Sequence, residues 1–210
     1  MRLYERFLRK APKQSRSGSV VEAVLDAAAE LLPGNDADDA VTLNDIATRA
    51  GVGAGSLYDY FADRGSVLSG LVAKVTEDNL RRFEKQLEES RDKPLEVAVR
   101  EIVDLMFDTY VGDVRIPRAV LRVAHRAGLM PTIADSQMRF SSVLARALAA
   151  RDDVRHEDPE LAAYVVMNMA MGIVHTSIWA EQKPFGDADL RTQVTTACCL
   201  YLAQATASVS

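Results

Sequence analysis

Residues 41–68 read VTLNDIATRAGVGAGSLYDYFADRGSVL, and this stretch decides the fold. Thr42 is followed three positions on by Asp45, a capping-box-like pair in which an acid shorter than the usual Glu reaches back to the cap, so a helix opens at Thr42. Leu43, Ile46 and Ala47 supply its buried side. Gly51 stands where a turn must bring two backbones together without a Cβ in the way. Ala47 is small where the first helix would press on the second, and Val52 would plug the space between them. A second short helix is expected from about Ala54 to Phe61, with Leu57 and Phe61 facing inward. Any helical hairpin has these packing needs, so on them alone a helix-turn-helix and a plain hairpin stand level.

Upstream, Val20, Val21, Val24, Leu25, Ala28, Leu31 and Leu32 make one face of a helix over Ser17 to Leu32, which the run PGNDADDA then breaks. Downstream, Asp63 or Ser66 caps a long helix to about Glu89 that buries Val67, Leu68, Leu71, Val72, Val75, Leu80, Phe83 and Leu87. Its length marks a connector shared by two domains. Beyond Lys93 and Pro94 the pattern predicts helices at 95–111, 117–127, 131–150, 159–182 and 188–206, with Pro117, Pro131, Pro159 and Pro184 at or near their ends. The fold class is all-α. An N-terminal three-helix domain (residues 17–75) follows a basic arm (1–16) and is joined by the long helix to a C-terminal helical domain (76–210).

A chain of 210 residues that is 48% hydrophobic can bury a sizeable core. Its net charge of −5 does not advertise a nucleic-acid binder, but the distribution differs from the sum. Arg2, Arg6, Arg9, Lys10, Lys13 and Arg16 crowd the start of the chain against a single acid, Glu5, which suggests an anionic partner for that end only. With a helix-turn-helix behind it the arm reads as a DNA arm, set against a solvated terminus or a short amphipathic helix packed on the body or, last, lying at a membrane surface through Leu3, Phe7 and Leu8. Cys198 and Cys199 are adjacent and read as core residues of a reducing compartment, which points to the cytoplasm. The opening MRLYERFLRKAP is not a secretory signal, and no uninterrupted apolar run has the length of a spanning helix.

The quoted stretch resembles the signature of the TetR (tetracycline repressor) family. It matches that family's threonine cap, Asp-Ile-Ala, Ala-Gly-Val, Gly-x-Leu-Tyr and Tyr-Phe in register, and VVEAVLDAAAELL at 20–32 resembles the family's first helix. The resemblance covers about the first third of the chain. It implies a transcriptional regulator that is a cytoplasmic homodimer, binds double-stranded operator DNA through the helix-turn-helix, and takes a small apolar effector in the C-terminal domain.

Residue by residue, the resemblance implies phosphate or groove contacts for Thr42, Ser56, Tyr58 and Tyr60, and base-facing positions at Gly53, Ala54, Gly55 and Asp59. Hydroxyls and helix N-terminal amides are good phosphate donors that fix register without reading sequence. The family usually has lysine where Arg64 stands, and Arg keeps the phosphate contact. It usually has a polar residue at Gly53, so specificity here is expected from Asp59, Tyr60, a methyl contact by Ala54, Arg49, the arm with Lys13 and Arg16, or DNA shape.

The effector site is expected among Phe83, Met106, Phe107, Tyr110, Met138, Met167, Met171 and Trp179, with Asn168 or His175 orienting the guest, although each of these side chains suits a plain core as well. The helix from Pro159 to Gln182 is apolar nearly all round: Leu161, Val165 and Ile178 on one side, Val166, Met169 and Ile173 on the other. Such a helix must be buried twice, so dimerisation through the last two helices is expected, with Leu190, Val194, Ala197, Cys198 and Tyr201 as the stripe of the last one. His125, His156 and His175 lack metal-ligand spacing, and nothing calls for a cofactor or a catalytic set. The alternatives are a dimeric helical interaction module or small-molecule-binding protein without DNA function, and, last, an enzyme.

Overall fold

The computed structural model of the chain describes residues 2–12, 15–32, 41–180 and 185–204. Those residues form a 3₁₀ turn at Leu3–Phe7 and nine α-helices: α1 Ser15–Leu31, α2 Leu43–Ala50, α3 Ala54–Tyr60, α4 Arg64–Glu89, α5 Leu95–Tyr110, α6 Arg115–Arg126, α7 Met130–Ala149, α8 Pro159–Trp179 and α9 Asp187–Ala203. Each expected helix is present, its ends within a few residues of the sequence reading. The linker 33–40, Pro184 and Lys13 lie outside the described residues, as does the side chain of Arg16.

The chain divides into two compact units, residues 1–78 with 115–133 and residues 79–114 with 134–210. It leaves the first unit inside α4 and returns to it for α6, an excursion that a linear division at residue 75 does not contain.

The first unit is built around α1. Val21, Val24, Leu25 and Ala28 are fully buried and pack with Ile46 of α2, Leu57 of α3, Phe61, and Val67, Leu71 and Ala73 of α4. Ala119, Val123 and Ala124 of α6 complete this core. The arm belongs to it as well. Tyr4 is 3% exposed, and Leu3, Phe7 and Leu8 pack, partly buried, against the same core. The Leu3 N–H donates to the Glu77 carboxylate at 2.9 Å, Arg2 pairs with Glu22 of α1, and the Arg9 N–H donates to the Tyr60 carbonyl at 2.8 Å. Of the readings open for the arm, residues 2–10 thus take the one in which an apolar face packs on the body. Their cations remain on the outside, with Arg6, Arg9 and Lys10 exposed.

In the second unit α5 packs on both α8 and α9, and α8 packs on α9. Phe107 is fully buried with the Arg191 guanidinium 5.1 Å from its ring centre, and Arg191 also donates to the Asp104 carboxylate at 2.9 Å and pairs with Asp108, tying α9 to α5. The Asp158 carboxylate accepts from the N–H groups of Glu160 and Leu161 at 3.0 Å each, which starts α8 with Pro159 in its first turn. By length and composition α8 is apolar enough to cross a membrane, although polar residues interrupt its apolar run. Its Ala162, Ala163, Val166, Val174 and Ile178 are buried among neighbouring helices, as in a core helix.

Burial of Tyr4 makes the arm a structural element. Tyr4→Ala is expected to lower stability by about 3 kcal/mol in a urea titration, the range for truncating a buried aromatic. A change within about 0.5 kcal/mol, as at exposed positions, would take the arm out of the core.

Candidate functional site

The geometry of the helix-turn-helix starts at the two ends of α2. The Thr42 hydroxyl accepts from the Asp45 N–H at 3.2 Å and donates to the Asp45 carboxylate at 2.7 Å, while the Thr42 N–H donates to the same carboxylate at 2.8 Å. This is the capping box expected from the sequence. Hydrogen bonds from Thr42 hold the Asp45 carboxyl below its ordinary value of 3.8. At the other end Gly51 takes φ 65°, ψ 28°, a left-handed conformation, and the Val52 N–H reaches back to the Ala47 carbonyl at 3.0 Å while the Gly51 N–H bonds that of Thr48 at 3.2 Å. These two bonds are a Schellman closure, and the conformation is one only glycine adopts at low cost.

That turn presents α3 with Leu57 and Phe61 buried and Ala54, Gly55, Ser56, Tyr58 and Asp59 exposed. Gly53 precedes the helix as its N-cap without a side-chain bond, and Tyr58 is 45% exposed. The outward face therefore carries the small residues, Ser56 and Tyr58 where the sequence reading put groove and phosphate contacts.

The remaining expected contacts are engaged inside the protein. The Thr42 hydroxyl proton is held by Asp45. Arg49 pairs with Glu30 of α1. Arg64 donates from Nε to the Val41 carbonyl at 2.7 Å, fastening the start of α4 to the residue before the cap of α2. Lys10 lies 3.2 Å from the Asp59 carboxylate and 5.0 Å from the centre of the half-buried Tyr60 ring, so both α3 residues meet the arm. Asp63 and Ser66 cap α4 reciprocally, the Ser66 N–H reaching the Asp63 carboxylate at 2.7 Å and the Asp63 N–H the Ser66 hydroxyl at 3.1 Å.

The second unit holds a cavity of 290 Å³. Leu87 of α4, Val99, Ile102, Val103 and Met106 of α5, Leu144 and Leu148 of α7, Val166, Met167 and Ala170 of α8, and Cys198 and Leu202 of α9 line it. Its polar lining is already bonded at the turn between α4 and α5. The Ser90 hydroxyl donates to Glu101 at 2.6 Å, and the Lys93 ammonium donates to both oxygens of that carboxylate at 2.6 and 2.8 Å. Lys93 first, then Ser90, hold the Glu101 carboxyl below its usual value. Arg151 donates to the carbonyls of Arg91 and Lys93 at 3.1 and 2.7 Å and to Asp153 at 2.7 Å. Arg91 pairs with Glu88, and burial pushes the Cys198 thiol up to about 11, so the thiol stays protonated and is a poor nucleophile. Glu84 and Arg146 stand exposed at the rim, one of each sign.

Of the side chains expected at the effector site, Met106 and Met167 line this cavity and the others do not. Phe83 is buried edge-on against Phe140 at 5.3 Å, Phe107 lies under Arg191, and the Tyr110 hydroxyl accepts from Asn79 at 3.2 Å. Met138 and Trp179 are 54% and 50% exposed. Asn168 is exposed and donates to the Tyr164 carbonyl one turn back at 2.7 Å, and His175 is half-buried on α8, its pKa lowered by burial. For Asn168 and His175 the cause is helical phase: Val166, Met167 and Ala170 set the cavity face of α8, and about 100° per residue turns those two away from it, whereas Met171 is only about 40° round from Met167 and stands one turn further along the helix. The aliphatic residues that do line the cavity have the same pattern as core, so no sequence signal separates them. Among the described residues no group of His, Cys, Asp and Glu gathers to hold a metal.

The fold and the turn define a helix-turn-helix protein. The family model of the bacterial regulatory proteins, tetR family, matches residues 24–69, and that of the tetracyclin repressor-like C-terminal domain matches residues 94–202. The chain belongs to the TetR family of transcriptional regulators, DNA-binding proteins rather than enzymes. No curated protein matches it. Among solved structures it is similar to a putative TetR-family regulator from Mesorhizobium loti, with 18% identity, TM-score 0.74 and 90% of this chain and 98% of that one covered. A TetR-family regulator from Streptomyces coelicolor has 23% identity, TM-score 0.62 and coverage of 89% and 97%. The repressor AlkX from a Dietzia strain, described as implicated in biodegradation of n-alkanes, has 20% identity, TM-score 0.60 and coverage of 87% and 95%.

Thr42→Ala removes the hydroxyl half of the capping box and is expected to cost about 1 kcal/mol. Asp45 is depressed in the folded state, so its contribution is present above its unfolded pKa and lost as pH falls through the folded one. In Thr42→Ala the Asp45 carboxyl titrates closer to 3.8, read by NMR, and the acid limb of stability moves up in pH. An unmoved Asp45 titration would mean the pair is not formed in solution.

Proposed function

We propose that the protein is a ligand-responsive repressor. It works in the cytoplasm as a homodimer on a palindromic operator and is released by a small, uncharged, largely apolar effector. Residues 17–75 bind DNA, and residues 76–210 take the effector and dimerise. The observation that carries the reading is α4, one unbroken helix from Arg64 to Glu89. Three residues separate it from the end of the recognition helix, and its other end gives Leu87 to the cavity wall. A guest that moves that wall has a covalent, hydrogen-bonded path to the DNA-binding unit. The cavity supports an apolar guest because its polar neighbours are bonded to one another and its rim charges balance.

The dimer surface follows from the face of α8 that the domain leaves open. Leu161, Tyr164, Met169 and Trp179 are 49%, 47%, 38% and 50% exposed, and Leu200 of α9 is 60% exposed. Exposed apolar side chains at helical spacing mark an interaction face, and a two-fold pairing of α8 and α9 is the closed solution. The stripe expected on α9 differs in detail. Val194 and Cys198 are buried within the unit, which leaves Ala197 and Leu200 to face outward.

Two measurements test the reading. A duplex chosen by the protein from a randomised library, and the neutral dye Nile red as cavity probe, are titrated separately and together. Typical coupling of about 1–3 kcal/mol predicts that each weakens the other by roughly 5- to 150-fold, and Ala98→Trp, which fills the cavity, is expected to abolish dye binding with DNA affinity kept. Equal dye affinity with and without duplex would separate cavity from switch. Gly172 lies on the open face of α8, with nothing within 4 Å of where a Cβ would stand. Gly172→Arg is therefore expected to leave the monomer folded and to turn a micromolar dimer into a monomer in sedimentation. A Gly172→Arg variant that still dimerises would move the interface elsewhere.

A further inference from the structure

The recognition helix α3 has seven residues, no side-chain cap at Gly53 and only Leu57 buried within it, so little of its own sequence fixes its aim. Helices this short are marginal, and their last carbonyls need outside donors. The arm supplies one: the Arg9 N–H donates to the Tyr60 carbonyl at 2.8 Å. Beside it the Lys10 ammonium sits 3.2 Å from the Asp59 carboxylate and 5.0 Å from the Tyr60 ring centre, a cation at the negative end of the helix. Arg9 and Lys10 are held there by the anchor before them, with Tyr4 in the core, Leu3 on Glu77 and Arg2 on Glu22.

Asp59 is the one carboxylate in α3, on the exposed face, where a bare negative charge would repel phosphates. An exposed ion pair adds little to stability, so the consequence of Lys10 lies in charge and aim. With Oδ2 against the ammonium, Oδ1 of Asp59 remains to accept a hydrogen bond, and the major-groove group that suits a carboxylate is the N4 amine of cytosine. We propose that the folded arm is the C-terminal cap of the recognition helix, and that Lys10 is a positioning residue that neutralises Asp59 and aims it at a cytosine amine. The proposal rests on the DNA-binding reading above. It assigns Lys10 no phosphate.

The test uses the full chain and a library of randomised DNA duplexes, with Lys10→Met, Lys10→Arg and Asp59→Asn beside the wild type. The wild type is expected to enrich a site with a cytosine at one position of each half. Asp59→Asn and Lys10→Met relax that same position about five- to tenfold and leave the others, and Lys10→Arg restores it. On one fixed non-specific duplex, Lys10→Met binds more weakly because the Asp59 charge is bared, and Lys10→Met with Asp59→Asn recovers the wild-type affinity and salt slope. The thermal midpoint of Lys10→Met stays that of the wild type. A slope lower by about 0.9 with base preference intact would make Lys10 a phosphate contact and overturn the proposal. Relaxation at different positions in the two variants, or at none, would overturn it as well. A wild type that enriches no duplex would instead overturn the DNA-binding reading on which the proposal rests.

Discussion

The left-handed turn at Gly51 is the constraint on which the rest depends. Its φ of 65° lets the Val52 N–H return to Ala47, which ends α2 and sets the entry of α3 within three residues of chain. A side chain there would meet no neighbour, so the requirement is one of backbone conformation alone. Once α3 enters at that angle, Leu57 and Phe61 are committed to the core and the opposite face is left to solvent. The arm then fixes the far end of the same helix. A two-turn helix with few contacts of its own is thus held at both ends by other parts of the chain.

Polar groups are engaged inside the protein at both sites, with opposite consequences. Around the helix-turn-helix, Thr42, Arg49 and Arg64 hold α2, α1 and the loop before the cap, so the outward chemistry of α3 comes down to Ser56, Tyr58 and the Lys10–Asp59 pair. Phosphate contacts from hydroxyls and amides fix register without reading sequence, so in the proposed reading base recognition falls on few atoms. Around the cavity, Ser90, Lys93, Glu101 and Arg151 satisfy one another and the carbonyls of the α4–α5 turn. What the cavity offers is aliphatic surface, and in the proposed reading a guest would be selected by shape and desolvation.

The helix-turn-helix was legible because its devices are local. Thr42 with Asp45, and Gly51 before Val52, have one economical conformation each, and the prolines mark helix ends downstream. The amphipathic spacing of Leu3, Phe7 and Leu8 was visible, but not the surface that would receive it, and the ion pairs of Arg49 and Lys10 join residues far apart in the chain. Cavity residues were least legible. Val99, Ile102, Leu144 and Leu148 follow the same 3.6-residue period as any core residue, and only the spacing between helices decides that they enclose space. Methionines and aromatics drew attention by chemistry, yet Phe83 and Phe107 fill the core and Met138 faces outward. The return of α6 to the first core, through Ala119, Val123 and Ala124, is likewise a tertiary fact with no local sign.

The central claim is that occupation of the cavity moves the recognition helices through α4. A pair of spin labels, one at Thr48→Cys on the exposed side of α2 in each copy of a protein whose native cysteines are replaced, reports that motion directly by pulsed electron resonance. With the selected duplex the account predicts a narrow distance distribution, with the recognition helices at the roughly 34–36 Å of one DNA turn. Saturating Nile red is predicted to shift or broaden that distribution, and Ala98→Trp to suppress the dye's effect. A distribution identical with and without dye, in protein shown to have bound it, would contradict the account.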